Sequence, residues 1–294
     1  MASAPSQRRL AVTSAHIGGA APEPAAGVVA WLRGLLQGDE EKTDGGSSSS
    51  SEAAAAVAGV VRQCYVADED WPGAEVQSAP DFAGHYFRQN VEAITVAATP
   101  GMEIICPSHR EGATRLADPN ERALMMTTAE GYEQLRAALP HAAGTLSHER
   151  PGSGENFYVD GLAQTELCLG DVLAVGGAQL EVASPRRPCA KWNKVHNMEA
   201  FLHGDPKGNV QHFALTHGLG GVYLRIKQPG EIKIGASISL LARPHPQWTL
   251  GRVADLVYGN ATVHPSTGIA EQKGEAWSGT DAELMELISM PVPQ

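Results

Sequence analysis

Closely spaced cysteines are missing from this chain. Its four cysteines, Cys64, Cys106, Cys168 and Cys189, are scattered with no CxxC or CxxxxCxxC arrangement. That excludes a zinc ribbon, an iron–sulfur cluster of the usual spacing and a disulfide scaffold. A chemically active cysteine must then act singly, as a nucleophile or as one thiolate ligand. Aromatic residues are scarce at 5%, whereas Gly (32) and Pro (19) are plentiful among the 294 residues, which favours turns and short strands over long helices. No apolar run approaches the roughly 18 residues that a bilayer span requires. Positive charge is in deficit: 33 acidic against 22 basic residues leave a net charge of −11, which repels phosphate backbones and argues against a nucleic-acid partner. A dinucleotide glycine fingerprint and internal repeats are also absent. What is present, 43% hydrophobic and 19% charged residues, suffices for a real core in one large domain or two modest ones.

Arg8 and Arg9 lie in an acid-free opening that faintly resembles an organelle transit peptide, but Leu10-Ala11-Val12 followed by Gly18-Gly19 reads better as a first strand and its turn. Free thiols without a secretory signal make the cytoplasm the expected compartment. A Pro/Ala stretch, a short amphipathic helix around Val28 to Leu36 and the acidic, glycine- and serine-rich run Gly38 to Ser51 follow. Small, polar and unpatterned, that run cannot offset its ordering entropy and reads as a disordered surface insertion. Ala53 to Cys64 has the composition of a helix, and Val91–Ala97 and Glu103–Cys106 have that of strands. Ala129 to Ala138 carries Tyr132, Leu135 and Leu139 at helical spacing up to Pro140. Short strands are expected at Phe157–Val159, Val172–Val175, Gln179–Ala183, Val222–Ile226 and Ile238–Leu241, then helices at Leu250–Val257 and Ala282–Ile288. The expected division is an N-terminal extension or first strand (1–19), a low-complexity insertion (20–60), a barrel domain (61–245) and a small helical C-terminal segment (246–294).

The chemistry concentrates between Gly154 and Asn193. Gly154-Glu155-Asn156 is followed by Asp160-Gly161-Leu162, Leu169-Gly170-Asp171-Val172 and Pro185-Arg186-Arg187-Pro188-Cys189-Ala190-Lys191. The prolines end a strand on a stiff, extended loop. Two arginines and a lysine beside a lone cysteine favour its thiolate form, and the same cations can hold a phosphate. A solvated basic turn with a packed cysteine fits these residues about as well. Gly154, Gly161 and Gly170 read as turn glycines, Asp171 as a turn-closing residue and Cys168 as a core thiol. His85, His141 and His148 read as surface or packing residues without metal-ligand spacing.

The order GEN…DGL…LGDV…PRRPCAK resembles the signature of the MOSC family, named for the C-terminal domain of molybdenum-cofactor sulfurase, and within it the small bacterial YiiM-like branch. Pro119-Asn120-Glu121-Arg122-Ala123-Leu124 is similar to an upstream turn of that branch, and Gly221-Val222-Tyr223-Leu224-Arg225 with Pro229-Gly230 to a downstream segment. The resemblance covers about residues 109–258. It implies an α+β fold: a MOSC-type β-barrel core with peripheral helices, here with a small C-terminal helical extension. It also implies a molybdenum–molybdopterin cofactor. Carried over residue by residue, Cys189 becomes the protein thiolate on molybdenum and a catalytic residue. Arg122, Asn156, Arg186, Arg187, Lys191, Asn193 and Arg225 become candidate cofactor-binding residues, and Glu155 a candidate proton donor. The implied activity is reduction of a small N-hydroxylated substrate, such as a hydroxylamino-purine, with electrons from a separate reductase. The rival reading is a non-catalytic cofactor or sulfur carrier, and a metal-free cysteine nucleophile is the weakest. Two features depart from the pattern. Leu116-Ala117-Asp118 stands where the family has His-Gly-Gly, and an insertion-like loop separates Lys194 from Thr216.

Overall fold

The computed structural model describes residues 58–67, 88–97, 123–146, 152–189, 191–196, 209–259, 261–263, 270–272, 282–283 and 286–287. The expected first strand at Leu10–Val12, the serine-rich run and the strand at Glu103–Cys106 lie outside these residues. In chain order the elements are β1 (Ala58–Ala67), β2 (Arg88–Val91), β3 (Ala93–Val96), β4 (Leu124–Thr128), α1 (Ala129–Ala138), β5 (Phe157–Asp160), β6 (Val172–Val175) and β7 (Ala178–Pro185). They continue with α2 (Lys191–His196), α3 (Val210–Thr216), β8 (Val222–Gln228), β9 (Gly230–Lys233), β10 (Ser237–Ala242), α4 (Leu250–Tyr258), β11 (Ala261–Val263) and β12 (Ala270–Gln272).

Seven strands close into a barrel in the order β10-β6-β7-β8-β4-β5-β1, and β1 pairs back onto β10. An odd number of strands cannot alternate direction all the way round, so at least one neighbouring pair must run parallel. That pair is β4–β5, and the other six contacts are antiparallel. A parallel pair needs a crossover, which here is α1 and the loop after it. β1 serves two partners along one edge: its first residues pair with β10 and its last with β2. β3 and β9 form a separate two-stranded ribbon whose Ile94, Val96 and Ile232 join the barrel core.

Alternation fills the interior. Leu180 and Val182 of β7 and Val222, Leu224 and Ile226 of β8 are buried together with Leu173 and Val175 of β6. α4 lays Leu250, Val253, Ala254, Val257 and Tyr258 against this core, the one-face spacing of an amphipathic helix. Its N-cap is Thr249, which accepts from the Arg252 amide at 3.2 Å. A second core lies outside the barrel, where Tyr132, Leu135 and Leu139 meet Trp192, Val210, Ala214 and Leu219 over Tyr65 and Tyr158. α1 starts at an N-cap Thr128 that accepts from Gly131 N at 3.0 Å, and it stops before Pro140. The fold is α+β, a barrel with peripheral helices.

Two expectations are corrected. The segment expected as a helix over Ala53–Cys64 is strand β1 from Ala58 onward. Pairing with β5, β10 and β2 overrides the alanine-rich composition, and Val61, Cys64 and Tyr65 are fully buried in that arrangement. The segment between Lys194 and Thr216 is not loop throughout, because α2 and α3 occupy its two ends. Residues 282–283 and 286–287 are helical, and Leu287 is buried in the barrel core. Glu286 Oε1 accepts from Trp248 Nε1 at 3.0 Å and from Gln247 Nε2 at 2.6 Å, so the C-terminal segment packs against the barrel. No helix among the described residues is long and apolar enough to cross a membrane.

Candidate functional site

The barrel brings the chemistry-bearing segments to one end. Pro185 closes β7 opposite Val222, the Arg186 amide still reaches Gly221 O at 2.8 Å, and Pro188 has no amide with which to continue the ladder. Residues 186–189 therefore leave the sheet as a loop without regular structure, and the Trp192 amide donates to the Cys189 carbonyl at 3.0 Å as α2 begins. The Cys189 side chain is exposed, whereas Cys64 and Cys168 are buried and burial pushes both thiols up to about 11. Arg187 is exposed. Arg186 is mostly buried; its guanidinium lies 5.3 Å from the Trp192 ring centroid and donates to Gly220 O at 3.4 Å.

The Gly154-Glu155-Asn156 turn sits at the same level, because Phe157 pairs with Met126 of the parallel strand. Asn156 is buried, and its Oδ1 accepts from Met125 N at 2.9 Å while its amide donates to Met125 O at 2.8 Å. Its own carbonyl accepts from Tyr65 N at 2.7 Å, so the residue ties β4 to β1. Glu155 is fully buried and accepts from Tyr132 OH (2.6 Å), Thr127 Oγ1 (3.2 Å) and Ser153 N (2.8 Å). Burial first, and then the Glu155 carboxyl group, hold the Tyr132 and Tyr65 phenols well above their ordinary value, so both stay protonated donors. The three glycines expected at turns, Gly154, Gly161 and Gly170, take φ values of 80°, 76° and 77°.

Other expected site residues are placed differently. Arg225 is ion-paired to Glu181 at 2.5 Å, and Glu181 also meets Lys227 at 3.2 Å. Arg225 stands three residues along β8 from Val222, so it lies roughly 10 Å from the Cys189 end of the strand. Asn193 is fully buried, with Oδ1 accepting from Gln211 N at 3.0 Å and Nδ2 donating to Gln211 Oε1 at 3.3 Å. Arg122 and the side chain of Lys191 lie outside the described residues. Asp171 closes its turn by accepting from Cys168 N at 2.9 Å and pairs with Arg243 at 2.7 Å.

Sequence reasoning missed Gln211, Trp192 and His196. His196 bridges two loops, with Nδ1 2.8 Å from Thr145 Oγ1 and Nε2 2.7 Å from Gly152 O. A carbonyl only accepts, so Nε2 carries the proton. Burial holds the ring pKa down to about 4, against an ordinary 6.5. The unfolded imidazole takes its proton near 6.5, while the folded one refuses it until about 4. The contribution is therefore complete above 6.5 and lost as pH falls through that window, by about 3 kcal/mol in all. Urea unfolding from pH 7 to 4 is expected to show this loss in the parent and to show less of it in His196→Gln; identical slopes would remove His196 as the cause.

One feature of the described residues is compatible with a molybdenum–pterin group. Trp192 Nε1, three residues past Cys189, is a buried donor for which the described residues supply no hydrogen-bond partner, and an acceptor on a bound group would satisfy it. No cluster of three or more His, Cys, Asp or Glu side chains suited to a metal ion occurs among the described residues. The exposed Cys189 thiol lies on the loop that precedes Trp192.

Residues 113–239 match the MOSC domain family model. A protein named reductase from Gibberella moniliformis is 28% identical over 138 residues, covering 47% of this chain and 23% of its own. Protein YiiM of Escherichia coli is 32% identical over 123 residues, covering 42% of this chain and 50% of its own. The chain thus spans half or less of the length of these curated relatives. The crystal structure of Escherichia coli YiiM superimposes with a TM-score of 0.46 at 20% identity, over 60% of this chain and 75% of that one. The motif order read from the sequence and the family match fall on the same stretch of chain: residues 113–239 match the MOSC domain.

Proposed function

We propose that this protein is a molybdenum-cofactor oxidoreductase that reduces small N-hydroxylated substrates with electrons from a separate reductase. The observation that carries this reading is the Cys189 thiol, exposed on a proline-stiffened loop while the other described cysteines are buried. When bound, the cofactor would supply the two-electron chemistry of N–O reduction. The overall change balances as R–NHOH plus two electrons and two protons to R–NH2 and water.

In this reading Cys189 contributes the thiolate to the metal. Arg186, Arg187, Arg122 and Lys191 supply positive charge for the cofactor's phosphate, and Trp192 Nε1 offers a donor to one of its acceptor atoms. Asn156 and Asn193 act through the loops they hold, since each amide is engaged with backbone or side-chain partners. Glu155 is best read as the anchor of the Gly-Glu-Asn turn. It is fully buried and both its oxygens accept hydrogen bonds, a geometry that suits orientation better than proton delivery. Arg225 is read as part of the Glu181 ion-pair network.

The departure Leu116-Ala117-Asp118 supports a second reading, a carrier that binds the cofactor without turnover. Elemental analysis and pterin fluorescence of the purified protein separate the two. Molybdenum near one per chain with reductase-dependent turnover of a hydroxylamino-purine is the expected result. Pterin without turnover favours the carrier, and absence of both overturns both.

A further inference from the structure

We propose that Gln211 is a positioning residue for the Cys189 sulfur, acting through the Pro188 carbonyl; this rests on the reading of Cys189 as the metal ligand. The peptide unit before Cys189 is planar, so fixing its carbonyl oxygen fixes the whole unit. Gln211 Nε2 donates to Pro188 O at 3.1 Å. The peptide unit after Cys189 is held as well, because Trp192 N donates to Cys189 O at 3.0 Å. With both flanking peptide planes pinned, rotation about the Cα–Cβ bond is the main freedom left to the sulfur.

Gln211 is itself held by Asn193 through two bonds. Its amide N–H donates to Asn193 Oδ1 at 3.0 Å, and its Oε1 accepts from Asn193 Nδ2 at 3.3 Å. Gln211 and Asn193 are both buried. Apolar side chains would join α2 to α3 with less desolvation, whereas a satisfied amide pair selects one relative placement of the two helices. That placement brings Nε2 to the Pro188 carbonyl. The clamp thus spans 23 residues of sequence, from α3 back to the residue before the thiol.

The test uses the full chain with Cys106→Ser, so that thiol modification reports Cys189, the other two cysteines being buried. Gln211→Glu keeps the acceptor for Asn193 but removes the donor to Pro188, and Gln211→Met removes both. Asn209→Ala removes the cap bond to His212 while leaving the Gln211, Asn193 and Pro188 contacts in place, and serves as the control for a general loss of helix stability. Hydrogen exchange of the Trp192 amide is expected to accelerate about tenfold in both Gln211 variants, with a changed pH profile of Cys189 alkylation by iodoacetamide. Asn209→Ala is expected to change neither, and retained molybdenum should follow the same order. Parent-like exchange and alkylation in both Gln211 variants, or equal changes in Asn209→Ala, would overturn the proposal. If the parent retains no molybdenum, the cofactor reading fails, while exchange and alkylation still decide whether Gln211 holds the loop.

Discussion

Cys189→Ser is expected to abolish N-hydroxy reduction while the protein stays folded. The side chain is exposed, so the exchange of sulfur for oxygen costs little packing. Its effect falls on ligation, because a serine oxygen is a harder and less matched donor than a thiolate. X-ray absorption at the molybdenum edge should then show one sulfur scatterer fewer than in the parent. The same substitution at Cys64 or Cys168 should leave that spectrum unchanged and act on stability instead, since both thiols are buried in packed surroundings. Cofactor content should fall less than activity in Cys189→Ser, because the arginines remain. An unchanged sulfur count would take Cys189 out of the metal site and leave the carrier reading ahead.

Gly220→Ala should be strongly damaging although it lies outside the motif itself. A Cβ at Gly220 would sit 2.3 Å from the Arg186 carbonyl oxygen and 2.9 Å from two ring carbons of Pro188. Neither neighbour can swing aside, as one is backbone and the other a proline ring. The next residue adds to the constraint, for Gly221 has φ 102° and a Cβ there would meet Met125 Cε at 2.7 Å. Relief requires the loop carrying Cys189 to move off the start of β8. The expected cost is about 1–3 kcal/mol of stability, read from denaturant midpoints, together with loss of molybdenum on gel filtration. Gly144→Ala, where an added Cβ meets nothing within 4 Å, provides the comparison and should behave as the parent. Full molybdenum retention in Gly220→Ala would separate this loop contact from cofactor binding.

The parts of this protein legible in its sequence are those whose pattern is local. α1 and α4 carry their own caps and apolar spacing, and β5 to β8 and β10 are short runs bounded by turn residues, so all fall where composition places them. β1 is misread because its alanines favour a helix locally, and it becomes a strand through pairing with β2 and with β5 and β10, which lie more than 90 residues away. α2 and α3 escape notice since six or seven residues give too little periodicity, and their stability comes from Trp192, Val210 and Ala214 packing beneath α1. The site divides along the same line. The Gly-Glu-Asn turn and the Arg-Arg-Pro-Cys loop stand out as motifs, whereas Gln211 and His196 have no motif around them and reach their partners only after the helices dock.

The pairing that closes the barrel also sets when the protein can acquire its shape. β1 meets β10 through contacts such as Gly59 with Ile238, which join the first described strand to the last one of the barrel. On a ribosome adding about 5–20 residues per second, roughly 10–40 s separate the emergence of these two strands. Throughout that interval the edge of β1 that will accept Ser237–Ser239 has no partner, and an open edge invites pairing with other chains. Slow, late-closing β topologies are the ones most exposed to aggregation during synthesis. Soluble yield should accordingly rise when translation is slowed by cold or chaperones are supplied, and β10 should be the segment at which a nascent chain first resists protease.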